Sequence, residues 1–446
     1  MIASCVRNFV APAKCITVEG MSRRSEGSIL GRLRAPLSGA ASLLALLGTN
    51  AFAQLPDAIE VDGELSVVAG GSDGETDADI DARVSATGST VLRNGMEIGA
   101  AASMRADSDA PASQFGGGRY SSLLFGGPRG FGGGDGDVFL EDAYVFARGG
   151  FGSVYLGRDA GIASRLAVTS PTIFSSIGVN DWRTDITGLN DVHTVNDFSG
   201  QATKLTYMPP VGFLGGAIGQ VQLGVSYAPE LPDCGADNCA PLNGFRFDGD
   251  GQISLTDQSW RDVIETAVYY QNGVRMGQDA LRLGLSASYL RADEEGGARG
   301  IEGIEPLFGD YRAYAVGLNL AYRNLTLGGS FKTTAAGLAK ERDEDYLAFD
   351  AGITYEPGQW NFMLGYGSAD AERDAALLLV DPMSQLSLIG GGLDRQTQTA
   401  QAGISYVFDH GVTLGAAAQF VDSDKGDALG GPEDAAAIMF ESSIKF

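Results

Sequence analysis

The chain has 446 residues, and its 31 basic and 56 acidic side chains give it a formal net charge of −25. This charge argues against a nucleic-acid partner, because phosphates would be repelled, and it favours small cations as partners. Glycine accounts for 64 residues, about twice the usual ~7 %, and no compositional break separates domains, so one large closed architecture is favoured over a helix-rich fold.

The N-terminal segment has the pattern of an export signal. Within residues 1–53, a basic stretch precedes an apolar run and the small-residue motif Ala51-Phe52-Ala53. This order predicts a signal peptide that is cleaved after Ala53. The first twenty residues have no such pattern, so we expect translation to begin at Met21 and the mature chain to comprise residues 54–446.

The rest of the chain alternates between apolar and polar side chains with a period of two, in segments of about 9 to 14 residues. In residues 311–323, for example, Tyr314 and Val316 lie on one face while Ala315 and Gly317 lie on the other. Several segments begin or end on Tyr, Trp or Phe, as in the aromatic girdles of membrane barrels. The pattern predicts an all-β fold, a transmembrane antiparallel barrel of about 16 strands. The predicted strands are 58–69, 78–92, 95–106, 138–148, 151–158, 202–208, 219–228, 261–272, 279–292, 310–323, 324–334, 346–356, 359–369, 396–409, 411–422 and 435–446.

The breaks between these segments alternate between short and long. Short turns such as 93–95 and 356–358 contain Gly with Asn or Pro and predict tight connections on one side of the membrane, which we expect to be the periplasmic side. Long polar breaks predict the loops on the outer side. They cover residues 107–137, 229–260, 293–309, 370–395 and 423–434.

One long break, 229–260, contains two candidate features. Cys234 and Cys239 lie close together, and an oxidising periplasm would permit a small loop disulfide between them. Asp248 and Asp250 alternate with glycines as in loops that bind calcium, but the remaining EF-hand positions are missing. A solvated acidic loop is therefore favoured over a calcium site, and no other metal or cofactor is expected.

Three stretches carry a resemblance to a known family. These are EDAYVFARGGFGSVYLGRD at 141–159, KLTYMPP at 204–210, and the terminal run with Phe440, Ile444 and Phe446. Together they resemble the trimeric general porins of Gram-negative bacteria, particularly the alphaproteobacterial type. The resemblance implies a homotrimer in the outer membrane, in contact with lipid and lipopolysaccharide, that passes ions and small hydrophilic solutes by diffusion. It also implies that Phe446 is the signal recognised by the barrel assembly machinery.

The resemblance further implies that a loop after the fifth strand folds into the lumen, here at about residues 160–200. Basic wall groups facing acidic loop groups would then form a charged constriction. Period-two alternation gives inward basic candidates, to which the resemblance adds Arg158. The predicted basic wall is Arg83, Arg105, Arg158 and Lys204, and the predicted acidic loop is Asp181, Asp185, Asp191 and Asp197.

Two other functions remain open at this point. A substrate-selective channel for sugars or other nutrients would have the same strand pattern, and so would a closed structural or adhesive barrel. Mostly small inward side chains argue against the closed barrel. An enzyme is not expected, because His193 and His410 are the only histidines and lack ligands at metal spacing, and no G-x-S-x-G nucleophile motif occurs.

Overall fold

A computed structural model of the chain describes most of the residues that follow the predicted leader. The described residues are 59–72, 75–107, 137–180, 186–211, 219–231, 242–247, 253–295, 310–335, 345–372, 375–381, 385–390, 394–408, 411–426 and 431–446. The predicted leader and its cleavage site, together with Cys234, Cys239, Asp248 and Asp250, lie outside these residues. What the sequence predicts for them stays a prediction.

Nineteen strands and one short helix make up the described secondary structure. The strands are β1 (Ile59–Ser72), β2 (Glu75–Val91), β3 (Glu97–Asp107), β4 (Asp137–Gly149), β5 (Gly152–Arg158), β6 (Thr203–Met208), β7 (Gln220–Leu231), β8 (Leu242–Phe247), β9 (Ile253–Met276), β10 (Asp279–Glu295), β11 (Tyr311–Tyr322), β12 (Leu325–Ala335), β13 (Tyr346–Tyr355), β14 (Trp360–Ala371), β15 (Ala375–Asp381), β16 (Gln385–Gly390), β17 (Arg395–Val407), β18 (Val412–Lys425) and β19 (Glu433–Lys445). The helix, α1, is Ile162–Arg165. No helix among the described residues is long and apolar enough to cross a membrane.

Sixteen of the strands form one closed antiparallel barrel, as the alternation predicted. Consecutive barrel strands pair with each other, and β7 pairs directly with β9 and β14 with β17. The ring closes where β1 pairs with β19. The three remaining strands lie in breaks that were predicted as long loops. Strand β8 pairs with the extended first part of β9, and β15 pairs with β16. The β8–β9 hairpin prolongs the sheet on the long-loop side, whereas β15 and β16 form a separate two-stranded sheet.

The two faces of the wall differ as a membrane barrel requires. In β11, Tyr314 and Val316 are 53 % and 51 % exposed, whereas Ala313, which points to the opposite, inner face, is fully buried. Large apolar side chains in outward rows would be costly in water, and they match the apolar band that faces lipid. The faces predicted from the sequence are therefore confirmed.

Between β5 and β6 the chain leaves the wall and folds into the barrel interior. The described residues of this segment are 159–180 and 186–202; we call it the lumen loop, and α1 lies near its start. Ile162 and Phe198 are fully buried, and Phe198 stacks on Tyr311 of β11 at a ring-centroid distance of 3.7 Å. The loop was expected at about residues 160–200, and it occupies that position.

Candidate pore constriction

Glycines shape the wall where the lumen loop packs against it. A side chain at any of eight wall glycines would come closer to a loop residue than ordinary van der Waals contact allows. Phe174 lies against Gly403 and Gly415, and Val179 lies against Gly365. The other members of this set are Gly70, Gly224, Gly317, Gly352 and Gly367. Along a path from β7 to β1, the loop therefore packs directly against the backbone of the wall.

A buried carboxylate on β13 holds both limbs of the loop. Asp350 is 3 % exposed, and its Oδ1 accepts hydrogen bonds from the backbone N–H of Ser170 at 3.0 Å and of Ser330 at 2.7 Å. Its Oδ2 accepts from Thr194 Oγ1 at 2.5 Å and from Asn180 Nδ2 at 3.0 Å. A buried charge needs this number of donors to offset the loss of water. Asp350 thus joins the outgoing and returning parts of the loop to one point on the wall.

Two further wall acids bind backbone amides of the loop. Glu441 of β19 accepts from the N–H groups of Ser175 at 2.8 Å and Ser176 at 2.9 Å. Glu265 of β9 accepts from the N–H of Ala163 at 3.0 Å and from the hydroxyl of Ser199. Charge-assisted hydrogen bonds of this kind are stronger than neutral ones. The acids on this part of the wall hold the loop instead of lining open water.

Wall cations bind the carbonyl groups of the returning limb. Lys332 Nζ donates to Val195 O at 2.6 Å, and Arg395 Nη2 donates to Leu189 O at 2.6 Å. Lys204 Nζ donates to Gly200 O at 2.5 Å and to Ser199 Oγ at 2.8 Å. Lys204 is only 2 % exposed. The structure therefore places this predicted pore-lining base underneath the loop.

The described acids of the loop are also engaged in structural contacts. Asp191 is 3 % exposed, and its carboxylate lies 2.6 Å from Arg395 Nε. Asp197 lies 2.7 Å from the Nε2 atom of His193, which is fully buried. These two predicted constriction acids face partners and not open lumen. The other two, Asp181 and Asp185, lie outside the described residues.

Strands β2 and β4 carry a charged cluster that is open to the lumen. Arg83 Nε lies 2.7 Å from Glu141 Oε2, and Arg83 Nη2 lies 2.7 Å from Asp142 Oδ2. The Arg83 side chain is 48 % exposed, whereas those of the two acids are 7 % and 10 % exposed. Ser103 Oγ donates a 2.7 Å hydrogen bond to Asp142 and fixes its orientation. Arg83 is therefore much more exposed than the two acids that bind it.

Arg105 supports the cluster from beneath. It lies directly opposite Arg83 in the β2–β3 register, an arrangement that costs stability unless acids intervene. Its guanidinium donates to Asp81 at 2.8 Å and 2.5 Å and lies 3.5 Å from Glu141, and its side chain is 4 % exposed. Glu141 thus lies between the two arginines and separates their charges. We name these five residues, Asp81, Arg83, Arg105, Glu141 and Asp142, the wall cluster.

An irregularity in the sheet explains why two adjacent acids both reach the cluster. The β3–β4 register shifts between Ser103 and Met104, so that Ser103 pairs with Asp142 and Met104 pairs with Leu140. Glu141 is the extra residue of this β-bulge, which lets its side chain lie on the same side as that of its neighbour. The sequence prediction missed both acids. Their adjacency in an otherwise alternating strand was the signal.

The resemblance placed Arg158 on the pore wall. By its position in the strand, Arg158 is on the opposite face of the sheet from Lys204. Its cross-strand partners are Ala143 and Thr203, the residues next to inward-pointing Asp142 and Lys204. Its Nε donates to the backbone carbonyl of Glu141 at 3.1 Å. Arg158 therefore supports the bulge. The structure brings Arg83 and Arg105 together and leaves Arg158 and Lys204 apart from them.

A closed barrel with an apolar outer surface, and with a polar interior narrowed by an inserted loop, defines the class of transmembrane diffusion channels. The chain belongs to the Gram-negative porin family, whose sequence profile matches residues 40–426. It is therefore an outer-membrane channel for the passive diffusion of solutes, and the predicted family, location and function are confirmed. No curated protein sequence matches the chain.

Solved structures share the architecture at low sequence identity. OmpF of Salmonella typhi, solved with daunomycin, has a TM-score of 0.50 at 12 % identity, over 86 % of this chain and 97 % of that one. The anion-selective porin of Comamonas acidovorans has a TM-score of 0.48 at 14 % identity, over 87 % and 99 %. The channel DcaP of Acinetobacter baumannii has 0.49 at 12 %, over 87 % and 97 %. The likeness to OmpF agrees with the barrel fold.

Proposed function

We propose that the channel is a general diffusion pore with a weak preference for cations, and that the wall cluster determines this preference. The observation that carries the proposal is the half-exposed Arg83, bound at 2.7 Å by both Glu141 and Asp142. The cluster contains three acids and two bases, so the formal charge of these five residues is −1. An excess of this sign raises the local concentration of cations in a narrow aqueous passage.

Reversal potentials in a KCl gradient test the proposal. Arg83→Gln leaves two acids without their exposed base, so the permeability ratio of potassium to chloride should rise severalfold. Asp142→Asn should lower the same ratio. Arg312→Gln is the matched control, because Arg312 is an exposed base on the outward face of β11 and its loss should leave the ratio unchanged. Equal ratios in all four proteins would place the selectivity elsewhere, with Asp181 and Asp185 of the loop as the next candidates.

We further propose a homotrimer that contacts lipopolysaccharide and is inserted by the barrel assembly machinery. Family membership supports this proposal, since the sequence resembles the trimeric general porins. Mass measurement of the detergent-solubilised protein tests the oligomeric state. A mass three times that of one chain is expected, and a monomer would contradict the proposal.

We also propose that the chain catalyses no reaction. Family membership supports this proposal. The environment of His193 also supports it: its buried imidazole lies beside Asp197, and its backbone N–H donates to the hydroxyl of Tyr346. A buried imidazole held by the loop has no access to a substrate in the lumen. Hydrolase assays on the purified channel should therefore give no activity above that of the empty detergent.

The alternative function, a substrate-selective channel, makes a different prediction about solute flux. A general pore passes neutral solutes at rates that fall with size and do not saturate. Liposome swelling with sugars of increasing mass distinguishes the two functions, because saturable uptake of one sugar would contradict general diffusion.

A further inference from the structure

A polar recess lies in the lumen wall at the short-turn end of the barrel, away from the wall cluster. Its volume is about 620 Å³, within the range typical of small-molecule sites. It is formed where β7, β9, β10, β11 and β12 approach the turns at 277–278 and 323–324. The side chains used below are Gln220, Tyr269, Gln271, Arg282 and Thr326, all of which line it. We call it the amide recess.

The amide recess contains a cation and no acid. None of its lining residues is Asp or Glu, although the chain as a whole has a net charge of −25. Arg282 is exposed and has no ion-pair partner among the residues that the structure describes, in contrast to Arg83, Arg105 and Arg395. A guanidinium held on a wall without a carboxylate is available to bind one from solution.

The residues beside Arg282 leave its guanidinium accessible. Gly273 and Ala321 are its cross-strand neighbours on either side. A side chain built at Gly273 would meet no atom within 4 Å, so the space next to the arginine is open. Small neighbours on both sides give a carboxylate room to lie in the plane of the guanidinium, which bidentate binding requires.

The amide and phenol groups of the recess are linked in a hydrogen-bonded chain. Tyr269 Oη donates to Gln271 Oε1 at 3.3 Å, and Gln271 Nε2 donates to Gln220 Oε1 at 2.9 Å. The chain uses the amide oxygens of both glutamines as acceptors and leaves the Gln220 amide N–H groups without a hydrogen-bond partner among the described residues. Amides that donate and accept are the groups that bind hydroxyls, and the hydroxyl of Thr326 adds one more.

We propose that the amide recess binds small hydroxylated carboxylates, the chemical class of sugar acids. Arg282 binds the carboxylate, and Gln220 and Gln271 bind the hydroxyls. The recess retains such a solute at one mouth of the pore, where a net negative channel would otherwise repel it. The proposal rests on the chain being an open channel, which potassium chloride conductance measures separately.

Single-channel recordings with sodium gluconate test the proposal. In wild-type protein, gluconate added on the short-turn side should cause brief current blocks whose frequency saturates with concentration. Sorbitol, which lacks the carboxylate, and acetate, which lacks the hydroxyls, should each block about tenfold more weakly. Arg282→Gln should weaken gluconate block about tenfold, the usual effect of removing a hydrogen-bonded charge, and Arg282→Lys should lie between the two.

Lys445→Gln provides the matched control. Lys445 is a base at the same end of the barrel, and it is paired with Glu64 at 3.0 Å, so its loss removes an equal charge without altering the recess. Normal KCl conductance with no saturable gluconate block would overturn the proposal. Equal block by acetate, or equal weakening by Lys445→Gln, would also overturn it, since either would show general attraction of anions. If the protein gave no conductance, calorimetric titration of the solubilised channel with gluconate would decide the question independently.

Discussion

At the scale of single residues, the acids of this channel have two separate tasks. Asp350, Glu441 and Glu265 bind the lumen loop, largely through its backbone N–H groups. Glu141 and Asp142 face the arginines of the wall cluster. Acidic side chains that all point inward therefore have different neighbours: some bind the lumen loop and others bind the arginines of the wall cluster. The position of the lumen loop decides which acids solutes can reach.

Substitution of the central loop acid tests this assignment. Asp350→Asn keeps the size of the side chain but replaces one acceptor oxygen with a donor, which then faces the donors of Ser330, Thr194 or Asn180. Leaving buried donors without an acceptor costs about 1–3 kcal/mol, so the urea midpoint should fall. The loop should also loosen, and the open-channel current should become larger and noisier.

Asp62→Asn is the control for this experiment. Asp62 is an exposed carboxylate near the start of β1, so the substitution removes the same charge without touching the loop. An unchanged midpoint and unchanged current noise in Asp350→Asn would contradict the anchoring role.

At the scale of elements, the lumen loop is held by the shape of the wall as much as by its charges. The eight glycines in its path form a groove in which side chains such as Phe174 and Val179 lie. Strand glycines cost conformational entropy and leave nothing to pack against a neighbour. The cost is offset where a second layer of chain fills the space.

A pair of substitutions tests this fit. Gly403→Val places methyl groups where the Phe174 ring lies, and overpacking of this kind costs about 1–3 kcal/mol. The ring must move into the lumen, so the single-channel conductance of the variant should change. Phe174→Ala in the same chain opens the space that valine needs, and the double variant should recover part of the stability. Additive losses in the double variant, measured by urea unfolding, would show that the two residues do not share this space.

At the scale of the whole molecule, the barrel closes through its last residue. Phe446 N donates to Gly63 O at 3.0 Å, and Gly63 N donates to Phe446 O at 2.9 Å. The Phe446 ring lies against Gly63, where a side chain would collide with it. The terminal aromatic therefore belongs to the seam between β1 and β19 as well as to the assembly signal that the family resemblance implies.

Deletion of Phe446 should reduce the yield of folded barrels in the outer membrane severalfold, because it removes both the seam contact and the terminal aromatic. The conductance of the barrels that do form should stay close to normal, since the ion pairs described for the wall cluster involve neither Phe446 nor Gly63. Phe446→Tyr keeps an aromatic ring and should assemble well. Heat-modifiable mobility on gels measures the folded fraction, and a normal yield after deletion would contradict the prediction.

The strands were predictable because one physical rule governs them. Lipid on one side and water on the other impose a period of two, and strands such as β11, β13 and β14 follow it closely. The wall cluster was predicted only in part. Arg83 and Arg105 were found by alternation, but Glu141 was missed because a β-bulge breaks the alternation locally.

The same period-two rule could not predict where the lumen loop packs against the wall. Alternation tells which side chains point inward, but it does not tell which of them a second layer covers. Lys204 and Asp191 were expected to line the passage and are buried beneath or within the loop. The small inward residues were interpreted as an argument against a closed barrel, whereas eight glycines among them make room for the loop. A residue-by-residue pattern carries no information about contacts across more than a hundred residues.

The bond between Ser176 and Glu441 joins positions 265 residues apart, and Glu441 lies on the last strand to be made. Ile186 likewise packs on Gly70 of β1, on the other side of the seam. Contacts of such long range form late, because the ends of a long segment must first be brought together. The final position of the loop therefore depends on both strands of the seam, β1 and β19. A low single-channel conductance, which requires the loop in its final position, would therefore also report that both strands of the seam are in place.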